Sequence, residues 1–194
     1  MCKIKICGIQ TQDDVNIVNQ YLPEYIGFNF VPYSKRVIDL DQAKKLKAVL
    51  DPAIKAVGLF QNADIQLIKQ AYLMGIMDLI QLHGEEGQDY INEVKKFGLP
   101  IIKAYKITNS LPQFLDSDYI LLDSAQGGSG KSFDWGLINF DLGKTFLAGG
   151  IDINNINQAK KLKPYCLDIC SGTETNGKKD IIKIKQIIKA VQNG

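Results

Sequence analysis

Lys3-Ile4-Lys5-Ile6-Cys7-Gly8-Ile9 stands almost at the start of the chain. Its alternation marks a strand, with Ile4 and Ile6 on one face and Lys3, Lys5 and Cys7 on the other. Gly8 breaks the strand. An open, doubly wound sheet that binds a dinucleotide would normally carry Gly-x-Gly-x-x-Gly after its first strand, and here only Gly8 is present. The stretch therefore points away from that fold and toward a closed parallel barrel, provided that enough strands follow.

They do follow. The pattern predicts further strands over Tyr25–Val31, Ile54–Phe60, Met77–Leu82, Pro100–Tyr105, Tyr119–Asp123, Thr145–Ala148 and Tyr165–Cys170. Helical spacing falls between them. A helix capped by Thr11 runs to Leu22, and others cover Asp39–Leu50, Ala63–Leu73, Glu85–Phe97, Asn154–Leu162 and Ile181–Val191, with a short helical turn over Asn109–Leu115. Eight strand–helix units in 194 residues average about 24 residues each, near the lower bound for an α/β protein of the (β/α)8 TIM-barrel type. The expectation is one barrel domain over residues 1–194, with a short or irregular fifth helix.

The totals narrow the function. The 23 basic and 21 acidic residues are scattered along the chain and leave a net charge of +2, so no strongly basic face for nucleic acid is expected. The start of the chain lacks the apolar run of a signal peptide, and the stretch Tyr72–Leu82 is interrupted by Gly75 and Asp78, short of a membrane span. A soluble, cytoplasmic protein with reduced thiols at Cys2, Cys7, Cys166 and Cys170 is expected. One histidine, His83, and no Cys-x-x-Cys pair make a metal site improbable.

In a barrel of this kind, chemistry sits at the carboxyl ends of the strands. Cys7 ends the first strand. A buried cysteine is ordinarily a small hydrophobe, but this one shares a face with Lys3 and Lys5 and so points to the barrel axis. As a base it needs a cation such as Lys5 or Arg36 to hold it as thiolate. Asp123 ends the sixth strand and opens Ser124-Ala125-Gln126-Gly127-Gly128-Ser129-Gly130-Lys131-Ser132-Phe133-Asp134-Trp135. It is either a loop carboxylate or an acid under a glycine-rich lid that includes Gly128. Gly149-Gly150 and Ser171-Gly172 follow strands seven and eight, where backbone N–H groups often hold a phosphate. Arg36 is a solvated cation or a fork for a carboxylate. His83 is a structural histidine or a site residue. Lys5 and Asp168 lie on neighbouring strands and are placed to pair inside the barrel.

Several stretches together resemble the phosphoribosylanthranilate isomerase family: Lys5-Ile6-Cys7-Gly8-Ile9, Gly27-Phe28-Asn29-Phe30 with Ser34-Lys35-Arg36, Val57-Gly58-Leu59-Phe60, Gln81-Leu82-His83-Gly84, Leu122-Asp123-Ser124 through Phe133-Asp134-Trp135, and Asp168 to Glu174. The order and spacing match over essentially the whole chain. The resemblance implies an Amadori rearrangement in tryptophan biosynthesis, with Asp123 as general acid and Cys7 as general base. It also implies that Arg36 holds the anthranilate carboxylate, that the Gly149-Gly150 and Ser171-Gly172 loops hold the phosphate, and that no cofactor is needed. Cys170 and Thr173 depart from the family pattern, which favours serine and an aliphatic residue there.

The expected partner is a small phosphosugar, with no nucleic acid and no membrane, and monomer and homodimer both remain open. Another phosphosugar barrel enzyme is the nearest rival. A histidine-pathway isomerase would place a carboxylate where Cys7 stands, and an indole-forming synthase would carry more lysine and glutamate at the strand ends. A phosphate-binding module without catalysis is the rival from another class.

Overall fold

The computed structural model describes residues 2–124 and 132–192. Eight parallel strands close into a barrel in sequence order: β1 (Lys3–Cys7), β2 (Tyr25–Asn29), β3 (Lys55–Phe60), β4 (Leu79–Leu82), β5 (Ile101–Ile107), β6 (Tyr119–Ser124), β7 (Thr145–Leu147) and β8 (Cys166–Ile169). Closure is made by β1 against β8, with Lys5 beside Asp168 and Ile6 beside Ile169. The helices are α1 (Gln12–Tyr21), α2 (Leu40–Ala48), α3 (Ile65–Leu73), α4 (Gln88–Lys95), α5 (Ile156–Lys161) and α6 (Ile181–Gln192). None of the described helices is long and apolar enough to cross a membrane.

Strand parity divides the core in two. Ile4, Ile6, Ile26 and Phe28 face outward and pack with Val15, Val18, Ile184 and Ile188 of the surrounding helices. Tyr25, Val57, Leu79, Ile102, Leu121, Phe146 and Cys166 fill the inside. At the amino-terminal end of the strands Tyr165 plugs the barrel, its hydroxyl accepting from Lys3 Nζ at 2.7 Å and lying 2.9 Å from the Tyr25 hydroxyl. The interior is thus sealed below, and the one polar layer left in it lies at the carboxyl ends of the strands.

The helix starts follow their caps. Thr11 and Asp14 form a reciprocal capping box at α1, and the side chains of Asp39 and Asp64 accept from the first turns of α2 and α3. The expected helical turn over Asn109–Leu115 does not form. Pro112 removes a donor and disfavours helical geometry at Leu111, and side chains hold this backbone instead. Leu115 N–H donates to the Tyr105 hydroxyl at 2.7 Å and Asp116 N–H to Gln88 Oε1 at 2.9 Å. Phe114, against Tyr105 and Phe140, covers the barrel wall where a fifth helix would lie. After β6, the described residues from 132 hold only a 3-10 turn, Trp135–Leu137. The eight strands therefore carry six α-helices among the described residues, not eight. An unexpected hairpin, β9 (Glu174–Thr175) with β10 (Lys178–Lys179), follows β8.

Lys103 is the one buried charge on the helix side of the strands that the alternation does not explain. It donates to Glu86 Oε2 at 2.8 Å and to the Gly84 carbonyl at 2.6 Å, while Glu86 accepts from the N–H groups of Asn62 and Gly84. This ties the loops after β3 and β4 to β5. Both side chains are under 5% exposed, so removing one leaves the other charged without a partner. Glu86→Ala is expected to lower the unfolding free energy in urea by about 3–5 kcal/mol, and the double variant Glu86→Leu/Lys103→Met to recover much of it. A single-variant loss under about 1 kcal/mol would show that the pair is not a structural tie.

Candidate active site

Cys7 ends β1 pointing inward, as its parity predicts, and is buried. Its neighbour on β2 is Gly27. A Cβ there would sit 2.8 Å from Cys7 Sγ and 3.3 Å from Lys5 Nζ, so only glycine admits the thiol and the ammonium together. Lys5 is fully buried beneath the thiol. It donates to Asp168 Oδ2 at 2.8 Å, and its ammonium shares the space beside Gly27 with the Cys7 sulfur. The anticipated Lys5–Asp168 pair is therefore present.

The charges of this cluster follow from those contacts. Burial works against the Lys5 ammonium, but the Asp168 carboxylate outweighs it and keeps Lys5 protonated. Burial pushes Asp168 up to about 7, with Lys5 pulling the other way. Cys7 lies well below the ordinary thiol range: the neighbouring Cys170 thiol lowers it most, burial opposes the charge, and Lys5 and Lys179 add to the lowering.

Asp123 leaves the end of β6 across the cavity. Its Oδ1 accepts from the Ser124 N–H at 2.8 Å, and its Oδ2 lies 3.4 Å from His83 Nε2. The other ring nitrogen of His83, Nδ1, is 3.1 Å from Gln81 Nε2. Gln81 is fully buried, and its Oε1, like Asp168 Oδ1, meets no hydrogen-bond donor among the described residues. Both residues border the cavity. Gln81 shares a strand face with His83, yet the alternation alone gave no reason to assign it to the site.

The remaining anticipated groups divide. Arg36, Gly149, Gly150 and Ser171 line the same cavity as Cys7, His83, Asp123 and Asp168. Gly149 and Gly150 both have positive φ, 87° and 65°, and a Cβ on Gly149 would lie 2.6 Å from the Ser124 nitrogen. Gly172 does not border the cavity. A Cβ on it would meet the Ile151 carbonyl oxygen at 2.1 Å, so it packs the loop after β8 against the loop after β7. Gly128 lies outside the described residues, as does the rest of the glycine loop over 125–131.

Arg36 already grips a carboxylate of the protein. Its Nε and Nη2 donate to Glu174 at 2.7 and 2.6 Å, and Lys179 Nζ donates to Glu174 Oε1 at 2.8 Å. Burial opposes the Glu174 charge, yet Arg36 and Lys179 bring its carboxyl down to about 2. Glu174 was visible only as the end of a motif. No local pattern connects it to Arg36, 138 residues earlier.

Residues 4–190 match the family model described as N-(5'phosphoribosyl)anthranilate (PRA) isomerase. The N-(5'-phosphoribosyl)anthranilate isomerase of Endomicrobium trichonymphae is 40% identical over 200 residues, covering all of both chains. The crystal structure of phosphoribosyl anthranilate isomerase from Thermus thermophilus superposes with a TM-score of 0.90 at 27% identity, covering 98% of each chain. Another structure of such an isomerase, in complex with reduced 1-(o-carboxyphenylamino)-1-deoxyribulose 5-phosphate, covers both chains fully at 27% identity and a TM-score of 0.82.

The Glu174 network makes the stability of this rim depend on pH. A carboxyl of ordinary value 4.5 that titrates near 2 when folded contributes stability that is complete above about pH 5 and lost as pH falls toward 2. Glu174→Gln should therefore lose roughly 3 kcal/mol of stability at neutral pH at most, and the difference from the unsubstituted protein should shrink steadily below pH 4.5. Urea unfolding at a series of pH values measures this, and a constant difference from pH 7 to pH 3 would refute the assigned linkage.

Proposed function

The chain belongs to the N-(5'-phosphoribosyl)anthranilate isomerase family, and from that premise we propose that it converts N-(5-phosphoribosyl)anthranilate to 1-(2-carboxyphenylamino)-1-deoxyribulose 5-phosphate as a single-domain enzyme of tryptophan biosynthesis. Cys7 is the base and Asp123 the acid. The observation that carries this assignment is their placement on β1 and β6, facing one cavity, with the Lys5 ammonium behind the thiol.

Asp123 donates a proton to the furanose ring oxygen, the C1–O bond breaks with its electron pair leaving on that oxygen, and the lone pair of the anthranilate nitrogen on C1 forms the C1=N iminium. The Cys7 thiolate then removes the proton on C2. The electron pair of that C–H bond forms the C1–C2 double bond and neutralises the iminium, and the resulting enaminol tautomerises to the aminoketone. The iminium acidifies its own C2 proton, so a thiolate suffices as base. His83, beside Asp123 Oδ2, orients the acid.

Binding follows the charges of the rim. The phosphate is held by backbone N–H groups at Gly149, Gly150 and Ser171, where the two positive-φ glycines allow an anion close approach. The donors of Arg36 that Glu174 does not occupy hold the anthranilate carboxylate. Gln81 Oε1 and Asp168 Oδ1 accept from hydroxyl groups of the open sugar, which satisfies two buried acceptors that the protein leaves unpaired.

The fluorescence of the anthranilate group should fall as the adduct is rearranged, which gives a direct assay on the purified protein. Turnover is expected, with Cys7→Ala and Asp123→Asn each lowering kcat by about 10²–10⁴-fold while binding of a phosphosugar product analogue survives. No turnover by the folded protein would exclude the isomerase. Near-normal kcat in either variant would leave the function standing and overturn the acid–base assignment.

A further inference from the structure

Cys7 has a second thiol beside it. The register of β1 on β8 runs Lys5 to Asp168 and Ile6 to Ile169, and Cys7 and Cys170 are the residues that follow these last partners on the two sides of the seam. Both side chains point into the barrel, border the same cavity, and pack in one small cluster with Val31 and Leu59. Cys170 is also anchored on its far side, where its Sγ lies 3.8 Å from Glu174 Oε1, within reach of a weak S–H donor. A Cβ on Gly8 would come within 3.3 Å of the Cys170 sulfur and 2.5 Å of Arg36 Cδ, so this corner is closely filled.

We propose that Cys170 is a positioning residue for Cys7, its thiol donating an S–H···S⁻ hydrogen bond that fixes the Cys7 sulfur toward the cavity and stabilises it as thiolate. This rests on the reading of Cys7 as the base. The charged and titratable groups around Cys7 show why a neutral donor matters. Lys5 lies on its own strand, Asp168 and Cys170 on β8, Arg36 in the loop after β2, Glu174 and Lys179 on the hairpin, and His83 and Asp123 across the cavity.

Most of these charges are already committed to one another. Lys5 shares its ammonium with Asp168, while Arg36 and Lys179 both donate to Glu174. Cys170 can turn the same proton toward Glu174 when Cys7 is protonated and toward Cys7 when it is not. The directions of the two thiols agree with this arrangement: Cys7 lies below the ordinary range and Cys170, beside it and buried, lies above it.

The test reads Cys7 itself. Freshly reduced protein is pulsed with iodoacetamide across pH 5–10, and labelling of the Cys7 peptide is quantified by mass spectrometry in the unsubstituted chain, Cys170→Ala and Cys170→Ser. The expected result is a shift of the Cys7 labelling midpoint by about one pH unit or more to higher pH in Cys170→Ala, a tenfold loss of thiolate below both midpoints, with most of the shift reversed in Cys170→Ser because its hydroxyl still donates. In the turnover assay the acidic limb of kcat moves by the same amount in Cys170→Ala, KM is little changed, and activity recovers at alkaline pH. An unmoved Cys7 midpoint in Cys170→Ala overturns the inference whatever the activity, and so does a kcat deficit that persists at high pH. If Cys170→Ala is too unstable to assay, equal midpoints in Cys170→Val and Cys170→Ser overturn it instead. A midpoint that moves while the kcat profile stays put supports the hydrogen bond and overturns the base role of Cys7, so the two failures are distinct.

Discussion

The proposed base role of Cys7 depends on a cation kept close to the thiol, and the buried cation beside it is Lys5. Its ammonium is fully buried, held from below by Asp168 and turned upward to Cys7. A lysine in that position would be expelled from a wholly apolar interior, because an isolated buried charge is costly. The pair with Asp168 makes it tolerable, and the same pair fixes where the polar layer of the barrel begins. Everything below it is apolar or capped by the tyrosine plug. Everything above it is cavity.

The second constraint is at the rim. Glu174 collects Arg36 from the loop after β2 and Lys179 from the far arm of the hairpin, so two parts of the mouth distant in sequence are held by one carboxylate. Such a network has two consequences. It keeps the guanidinium in one orientation, which would reduce the ordering cost of the proposed carboxylate binding. It also tempers the positive charge, so that in the proposed complex the remaining donors of Arg36 would select a carboxylate by geometry as well as by charge.

Much of this was legible in the chain because strand parity is a local property. The alternation in Lys3–Cys7 placed Lys5 and Cys7 inside the barrel, and the same rule placed Asp123 with Tyr119 and Leu121 on the inner face of β6. What could not be read was set by partners far away in sequence. Glu174 has an ordinary sequence context, and only closure of the barrel brings it to Arg36. Cys170 showed only as a departure from a family pattern until the register of β1 on β8 set it beside Cys7. The Asn109–Leu115 region failed for a different reason: its apolar residues do face the core, but Pro112 and side-chain hydrogen bonds hold them there without a helix.

Gly172 shows how the two kinds of information combine. A glycine in a loop after the eighth strand is as good a phosphate contact as Gly149 or Gly150 when judged by position. The structure separates them by what surrounds each Cα. Gly149 and Gly150 carry positive φ and border the cavity, whereas Gly172 is pressed on the Ile151 carbonyl and has no room for any side chain. Its role is to seat the loop after β8 against the loop after β7, so that Ser171 reaches the cavity edge that Gly172 itself does not. The buried acceptors Gln81 Oε1 and Asp168 Oδ1 follow the converse logic. An unsatisfied buried polar atom costs about 1–3 kcal/mol, and a core selected for stability alone would have paired or removed both. Both lie at the floor of the cavity, next to the proposed acid and base, where a sugar brings its own hydroxyl donors. In the proposed complex those hydroxyl groups would satisfy both acceptors, and they would be the feature by which this floor tells its ligand from an apolar one.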